Sequence, residues 1–193
     1  MLMVVVFCLT VSPWCRAADA TGQYAAKGVG GVECSKFIDA AQQGGAEALG
    51  EYAGFVAGYT SAFNENTAQL FDAWRWQSLD TVMLLLLQRC RQDGSLMFSR
   101  VVAELTRYLA QSGLPAKEDL QRVGDEKRGF YLYRSAYEEL LAALKRHGYD
   151  VDNPYAALMQ YRVDNDVRAG KNVHQVLLLR LIGPTAGTGG NTP

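Results

Sequence analysis

Between Cys34 and Cys90 the chain carries the residues that decide its fold: Cys34-Ser35-Lys36-Phe37, then Gly54-Phe55-Val56-Ala57-Gly58-Tyr59, then Val82-Met83-Leu84-Leu85-Leu86-Leu87 before the second cysteine. Apolar residues recur at intervals of three and four, which is the spacing of one face of an α-helix. The clearest such face, in residues 46–63, consists of Leu49, Tyr52, Ala53, Val56, Tyr59 and Phe63. A later helix, at about residues 79–91, is apolar on nearly every side, so we expect it at the centre of a helical bundle.

Three glycines lie on one stripe of the helix predicted at residues 46–63. Gly50, Gly54 and Gly58 are spaced four residues apart, and each costs about 1 kcal/mol of helix stability relative to alanine. We expect a neighbouring backbone to pack closely against this stripe, because close packing would explain the missing side chains. Glu47 and Glu51 on the same helix indicate a packed helix of a water-soluble domain and not a membrane helix.

The two ends of the chain differ from its middle. Residues 1–20 are typical of a secretory signal peptide, because the apolar run at residues 2–14 is too short to span a bilayer and small residues suited to cleavage follow it. The alternative is an N-terminal membrane anchor. Residues 21–33 are Gly-rich and predict a flexible arm, and residues 183–193 predict a disordered tail. We therefore expect a periplasmic protein with no stable membrane span in its mature form.

Export changes the interpretation of the four cysteines. Cys8 and Cys15 would leave with the signal peptide, so the mature chain would keep Cys34 and Cys90. In an oxidising compartment, two cysteines most simply form one disulfide. Two buried free thiols are the alternative.

The pattern predicts four helices in residues 34–112, a two-cysteine helical domain. Ser78 is expected to cap the third of these helices and Ser95 the fourth. Residues 113–130 are charged and poor in large apolar side chains, and we interpret them as a linker.

A three-helix unit is predicted in residues 131–182. Asn153 and Pro154 are a cap and first-turn pair at the start of its second helix. Because no alternating strand pattern persists, the predicted class is all-α: a disulfide-pinned four-helix N-terminal domain followed by a small three-helix C-terminal unit.

Composition and motifs argue against several classes of function. The 193 residues carry a net charge of −1, and their interleaved charges predict no nucleic-acid partner. The two histidines, His147 and His174, have no metal-ligand spacing to another ligand residue. Neither a nucleophile elbow nor a phosphate loop is present in the sequence. We therefore expect no catalytic residue, no metal and no cofactor, and so no enzyme.

Four residues are candidates for binding a protein partner: Tyr59, Asn64, Trp74 and Trp76. Tryptophan and tyrosine are favoured as interface anchors, and Trp74 and Trp76 lie close together in a polar segment after Asn64. The alternative is that the two tryptophans cap the hydrophobic core.

The first half of the chain resembles the HdeA-like helical periplasmic proteins with two cysteines. The resemblance rests on Cys34-Ser35-x-Phe37, on Gly54-Phe55-Val56-x-Gly58-Tyr59-x-Ser61-x-x-Asn64, and on the Cys90 helix followed by Ala103-x-Leu105. Relatives of this type include immunity proteins against type VI secretion amidase toxins. The resemblance implies binding and not catalysis, with either a secreted toxin or an unfolded client protein as the partner.

The C-terminal unit resembles a degenerate peptidoglycan-binding repeat. The similar residues are Leu140-Leu141-x-x-Leu144-x-x-x-Gly148-Tyr149, then Ala157-Leu158-x-x-Tyr161, then Val176-Leu177-Leu178 after Gly170. This resemblance implies that the unit binds peptidoglycan. The alternative is a three-helix packing unit without a ligand.

Overall fold

A computed structural model describes residues 24–125, 127–170 and 173–183 of the chain, and these residues are mostly helical. The predicted signal peptide lies outside the described residues, as does nearly all of the predicted tail. A short 3₁₀ helix, Gly28–Gly31, precedes seven described α-helices and two strands. In chain order these are α1 Cys34–Gln43, α2 Ala46–Asn66, α3 Leu79–Gln92, α4 Phe98–Ala110, β1 Leu120–Gly124, β2 Gly129–Tyr133, α5 Arg134–Arg146, α6 Pro154–Asp164 and α7 Val173–Ile182.

Helices α1 to α4 surround a buried core that we call the disulfide cluster. Cys34 and Cys90 form the predicted disulfide between α1 and α3, with their Cα atoms 5.1 Å apart, and both side chains are fully buried. Next to the disulfide, the Phe37 and Phe98 rings lie 4.8 Å apart between centroids. The remaining buried apolar members of the cluster are Tyr52, Val56, Val82, Leu86, Val101, Val102 and Leu109.

Two of the three predicted helix caps are confirmed. The Ser78 side chain accepts a hydrogen bond from the Thr81 backbone N–H at the start of α3. The Asn153 side chain accepts one from the Ala156 N–H at the start of α6. The Ser95 cap is wrong: Ser95 donates its N–H and hydroxyl to the Asp93 carboxylate instead, and α4 begins only at Phe98.

The expectation of an all-α fold is wrong in one place. Strands β1 and β2 form an antiparallel hairpin, and β1 lies inside the predicted linker. Only Val123 on β1 and Leu132 on β2 are fully buried. The apolar–polar alternation is therefore too short to be recognised in the sequence. The hairpin is stabilised instead by the packing of α5 and α6 against β1.

A second buried core, the C-terminal cluster, lies between this hairpin and helices α5, α6 and α7. Trp76, from the segment between α2 and α3, is part of it. The two halves of the chain are therefore linked by a large aromatic side chain as well as by the backbone. The other large buried members are Val123, Leu132, Leu140, Leu144, Leu158, Tyr161, Val167, Leu177, Leu178, Leu181 and Ile182.

The glycine stripe of α2 contradicts the expectation of close backbone packing. Beyond the local backbone of α2 itself, a Cβ atom built on Gly50, Gly54 or Gly58 would have no atom within 4 Å among the described residues. All three glycines are exposed to solvent. Within the described part of the chain, nothing that packs on this stripe explains the missing side chains.

Helix α3 contacts α1, α2 and α4, which agrees with its predicted central position. Leu84 and Leu87 are nevertheless only half-buried. Both line an open cleft of about 510 Å³ between α1, α2 and α3, together with Leu49 and Met83. Not every apolar side of α3 is therefore covered.

The described part of the predicted flexible arm is attached to the disulfide cluster. The Phe98 N–H donates to the Val32 carbonyl over 2.9 Å, and Gly30 is buried. Among the helices that the structure describes, none is both long and apolar enough to cross a bilayer.

Candidate partner-binding cleft

A cleft of about 310 Å³ opens between the segment that joins α2 to α3 and the β1–β2 hairpin. We call it the aromatic cleft. One side is formed by residues that precede α3, and the other by side chains of both strands. Its lining consists of Asp72, Trp74, Arg75, Trp76, Gln77, Ser78, Leu120, Tyr131, Leu132 and Tyr133.

Asp72 holds the two sides of the cleft together. One oxygen of its carboxylate accepts hydrogen bonds from the Trp74 N–H (2.9 Å) and the Asn64 side-chain amide (3.3 Å). The other oxygen accepts from the Tyr133 hydroxyl (3.1 Å), which lies across the cleft on β2. The Asp72 backbone also pairs with Leu114, its carbonyl accepting from the Leu114 N–H over 2.8 Å. Both oxygens of the carboxylate are thus in use, so Asp72 positions the cleft walls.

Tyr133 is kept protonated by this arrangement. Burial raises the pKa of its phenol, and the charge and hydrogen bond of Asp72 raise it further. The stability that the neutral phenol provides is therefore present below pH 10 and is lost as the pH rises through the higher pKa of the folded state. At neutral pH the Tyr133 hydroxyl remains a donor to Asp72.

The rim of the cleft exposes large apolar side chains. Leu120 and Tyr131 are 57% and 59% exposed, and Phe71, which packs edge-on against the Tyr133 ring, is 40% exposed. The Arg122 guanidinium lies over the Tyr131 ring, 5.6 Å from its centroid, which is within the range of a cation–π contact. The two strands thus present an aromatic and aliphatic face to solvent.

Two tryptophans line the cleft, and each packs in a different core. Trp74 packs against the disulfide cluster, whereas Trp76 is buried in the C-terminal cluster. The Gln77 side chain is buried and accepts from the Trp76 backbone N–H over 3.2 Å. Each indole ring is therefore held by a different core.

Two residues that line the cleft each carry a hydrogen-bond donor that is closed to solvent and lacks an acceptor in the described part of the chain. The Trp74 indole Nε1–H and the Arg75 Nε–H are both buried without a partner. The Arg75 guanidinium does form an ion pair with Glu139 on α5, through a different nitrogen. Leaving a buried donor without a partner costs about 1–3 kcal/mol, so such groups call for an explanation.

The cleft contains two of the four predicted partner-binding residues, Trp74 and Trp76. Asn64 supports the cleft from outside, because its side-chain oxygen accepts the Ala73 N–H over 3.0 Å. Tyr59 lies elsewhere, on α2, where its ring stacks between Phe55 and Phe63.

The surroundings of Tyr59 are distinct from the cleft. Burial raises the pKa of Tyr59, while the nearby charge of Arg107 opposes this shift. Tyr24 and Arg107 line a separate cleft beside α4. The four predicted residues therefore do not form one surface.

Phe71, Leu120, Tyr131 and Tyr133 are members of the cleft or its rim that sequence reasoning did not identify. The run Phe130-Tyr131-Leu132-Tyr133 is rich in residues that favour strands. Together with Gly124 and Gly129 around the turn, this run is the sequence signal that predicts a β-hairpin.

The chemistry of the cleft is that of contact and hydrogen bonding. Both histidines lie outside it: His147 packs edge-on against Tyr161, and His174 packs between Phe130 and Tyr155. Within residues 24–125, 127–170 and 173–183, no group of three or more His, Cys, Asp or Glu side chains could hold a metal ion.

Comparisons with known proteins add no relative. No protein family, curated protein sequence or solved structure matches this chain.

Proposed function

We propose that this chain is an exported, non-catalytic binding protein of the cell envelope that binds a protein partner through the aromatic cleft. The observation that carries the proposal is the exposure of Phe71, Leu120 and Tyr131 around two tryptophans that line the cleft. Aromatic side chains gathered around a pocket are the usual anchors of protein interfaces.

Hydrogen bonds and an ion pair connect the walls of the cleft before any partner binds, and such preorganisation favours affinity. The Asp72 carboxylate connects the α2 end, the Trp74 backbone and the hairpin, and the Arg75–Glu139 ion pair connects the same segment to α5. A preorganised surface loses little conformational entropy on binding. In this proposal the four-helix domain and the three-helix unit act together, because each supplies one side of the cleft.

Preorganisation also favours one of the two partner types. Proteins that bind many clients use flexible surfaces that repack, whereas the tryptophans here are fixed by two cores. We therefore propose an immunity-like role, in which the partner is one secreted toxin, over a chaperone-like role with unfolded clients. The Cys34–Cys90 disulfide supports the exported location, since disulfides persist in oxidising compartments.

The test compares two tyrosines of matched exposure. Tyr131→Ala removes the rim of the cleft, whereas Tyr24→Ala removes a side chain that is 56% exposed and lines a different cleft. Each tagged protein is recovered from the envelope fraction of its own host, and the proteins that copurify are identified by mass spectrometry. We expect one protein to copurify with the wild type and with Tyr24→Ala, but not with Tyr131→Ala. Equal recovery with both variants would reject the cleft as the binding surface.

Peptidoglycan binding by residues 131–182 is tested in the same preparation by sedimentation with purified sacculi. A wild-type protein that pellets with sacculi would favour peptidoglycan binding over the protein-partner proposal. The proposal predicts that the wild type remains in the supernatant.

A further inference from the structure

We infer that the open cleft between α1, α2 and α3, which we call the apolar cleft, binds a small cationic amphiphile with a single apolar chain. In this arrangement the chain of the ligand lies along α3, and its cationic head group pairs with the Asp80 carboxylate. The inference does not depend on the proposed function, because the apolar cleft and the aromatic cleft share no lining residue.

The walls of the apolar cleft are apolar almost throughout. Apart from Gly50 and Asp80, the lining residues all carry apolar side chains: Phe37, Ala41, Ala46, Leu49, Ala53, Leu79, Met83, Leu84 and Leu87. The large apolar side chains from α3 are only half-buried, and a ligand that removes them from water gains hydrophobic free energy. The volume of about 510 Å³ lies within the roughly 300–1,000 Å³ of small-molecule sites, whose usual lining is apolar with a few polar groups.

The shape of the apolar cleft suits a chain. Its α3 wall extends from Leu79 to Leu87, a rise of about 12 Å along the helix axis. The lining positions of α3 are separated by three or four residues, so they follow one side of the helix. Asp80 lies near one end of this wall, and the rest of the wall is apolar. A ligand with one polar end and a long apolar body matches this arrangement.

The charges around the apolar cleft select a cationic head group. Asp80 is exposed and forms no ion pair within the part of the chain that the structure describes. Glu47 lies on α2 one turn before Gly50, which lines the cleft, and the 21 residues of α2 include no Lys or Arg. The arginines of α3 lie in its last turn, away from Asp80. The end of the cleft at Asp80 therefore attracts a cation and repels a carboxylate.

Gly50 leaves the mouth of the apolar cleft open. Beyond the local backbone of α2, a Cβ atom on Gly50 would meet no described atom within 4 Å. A leucine at this position can therefore extend into the cleft without a clash, and it would occupy space that the ligand needs. Gly58 has equally open surroundings on the same helix but does not line the cleft, so Gly58→Leu is a matched control.

The experiment follows the methionine methyl signals of the wild-type protein by nuclear magnetic resonance during titration with octylammonium, octanol or octanoate. Met83 lines the apolar cleft, whereas Met97 and Met159 line other clefts. We expect octylammonium to shift the Met83 signal saturably and to leave the other two in place. Octylammonium should bind about 3- to 5-fold more tightly than octanol, and octanoate should bind more weakly than octanol.

Variants then locate the ligand within the apolar cleft. Gly50→Leu should weaken octylammonium binding about 10-fold or more, because it displaces part of the buried chain, whereas Gly58→Leu should bind like the wild type. Asp80→Asn should remove the preference for octylammonium over octanol. Unchanged Met97 and Met159 signals show that each variant is folded.

Several results would overturn the inference and leave the proposed function standing. These are a Met83 signal that does not saturate, octanoate binding as tightly as octylammonium to the wild type, and equal binding by Gly50→Leu and Gly58→Leu. A Met83 signal that moves with protein concentration in the absence of any probe would assign the cleft to a second copy of the chain instead.

Discussion

Removal of the Cys34–Cys90 disulfide is the perturbation whose effect can be worked out most fully. The double variant Cys34→Ala/Cys90→Ala replaces two fully buried sulfur atoms without placing a polar group in the core. The start of α1 remains bonded to the loop that follows α3, since the Cys34 N–H donates to Leu96 (2.8 Å) and the Ser35 N–H to Gly94 (2.9 Å). We therefore expect the folded state to keep its geometry, so that the main effect is on the unfolded chain.

The magnitude follows from the length of the closed loop. The two cysteines are 56 residues apart in the sequence, and releasing a loop of that size returns about 4 kcal/mol of conformational free energy to the unfolded state. For a chain of this length, a loss of that size lowers the melting temperature by about 8–16 °C. The two small cavities left by the sulfur atoms add to the loss.

The assay is urea unfolding of the wild type and the double variant, each with and without a reducing agent. The wild type in reductant should unfold at nearly the same urea concentration as the double variant, and reductant should leave the variant unchanged. A difference in unfolding free energy below about 1 kcal/mol between the oxidised wild type and the variant would refute the loop-entropy reasoning.

Three further predictions concern the glycine stripe, the cleft and the half-buried His174. Gly54→Ala should raise the unfolding free energy by about 1 kcal/mol, because its Cβ would meet no described atom within 4 Å beyond the local backbone of α2. Tyr133→Phe should lower it by about 1 kcal/mol, because the hydrogen bond to Asp72 is lost. His174→Gln should make the stability of the protein less sensitive to acid. Burial lowers the pKa of His174 from 6.5 in the folded state, so the wild type loses stability as the pH falls from 6.5 toward that lower pKa. The variant has no imidazole to protonate and lacks this loss.

Each of these predictions has its own control. The control for Gly54→Ala is Gly113→Ala, which should destabilise the protein in the same unfolding assay because its Cβ would lie 2.8 Å from the Asp72 carbonyl oxygen. If Gly54→Ala is destabilising too, the surroundings of Gly54 on α2 are not open. If Tyr133→Phe unfolds like the wild type, Asp72 does not hold the cleft walls together. For His174, parallel stability curves of wild type and variant between pH 7 and pH 5 would rule out the burial argument.

The disulfide and the helical class could be predicted because their signals are local or follow from simple chemistry. Two cysteines remain after the predicted signal, and Ser78 and Asn153 cap helices through side-chain bonds to nearby backbone groups. The predicted Ser95 cap is wrong because the Asp93 carboxylate accepts hydrogen bonds from the Ser95 N–H and hydroxyl. That competition depends on the shape of a single turn.

The cleft could be predicted only in part because it is assembled from distant segments. Trp74 and Trp76 were identified as candidates from their residue types, but their positions depend on two cores that meet between α2 and α3. The hairpin that supplies Tyr131 and Leu120 was missed because each strand has one fully buried residue and its stabilisation comes from α5 and α6. The contact between Asp72 and Tyr133, 61 residues apart, has no trace in local sequence patterns.

The most direct test of partner binding at the aromatic cleft is site-specific photo-crosslinking in the host cell. A photoreactive phenylalanine analogue replaces Tyr131 in one strain and Tyr24, which is similarly exposed, in another. Irradiation is predicted to yield one discrete protein adduct from the position of Tyr131 and none of that mass from the position of Tyr24. No adduct at position 131, or the same adducts at both positions, would contradict the proposal that the cleft binds a protein partner.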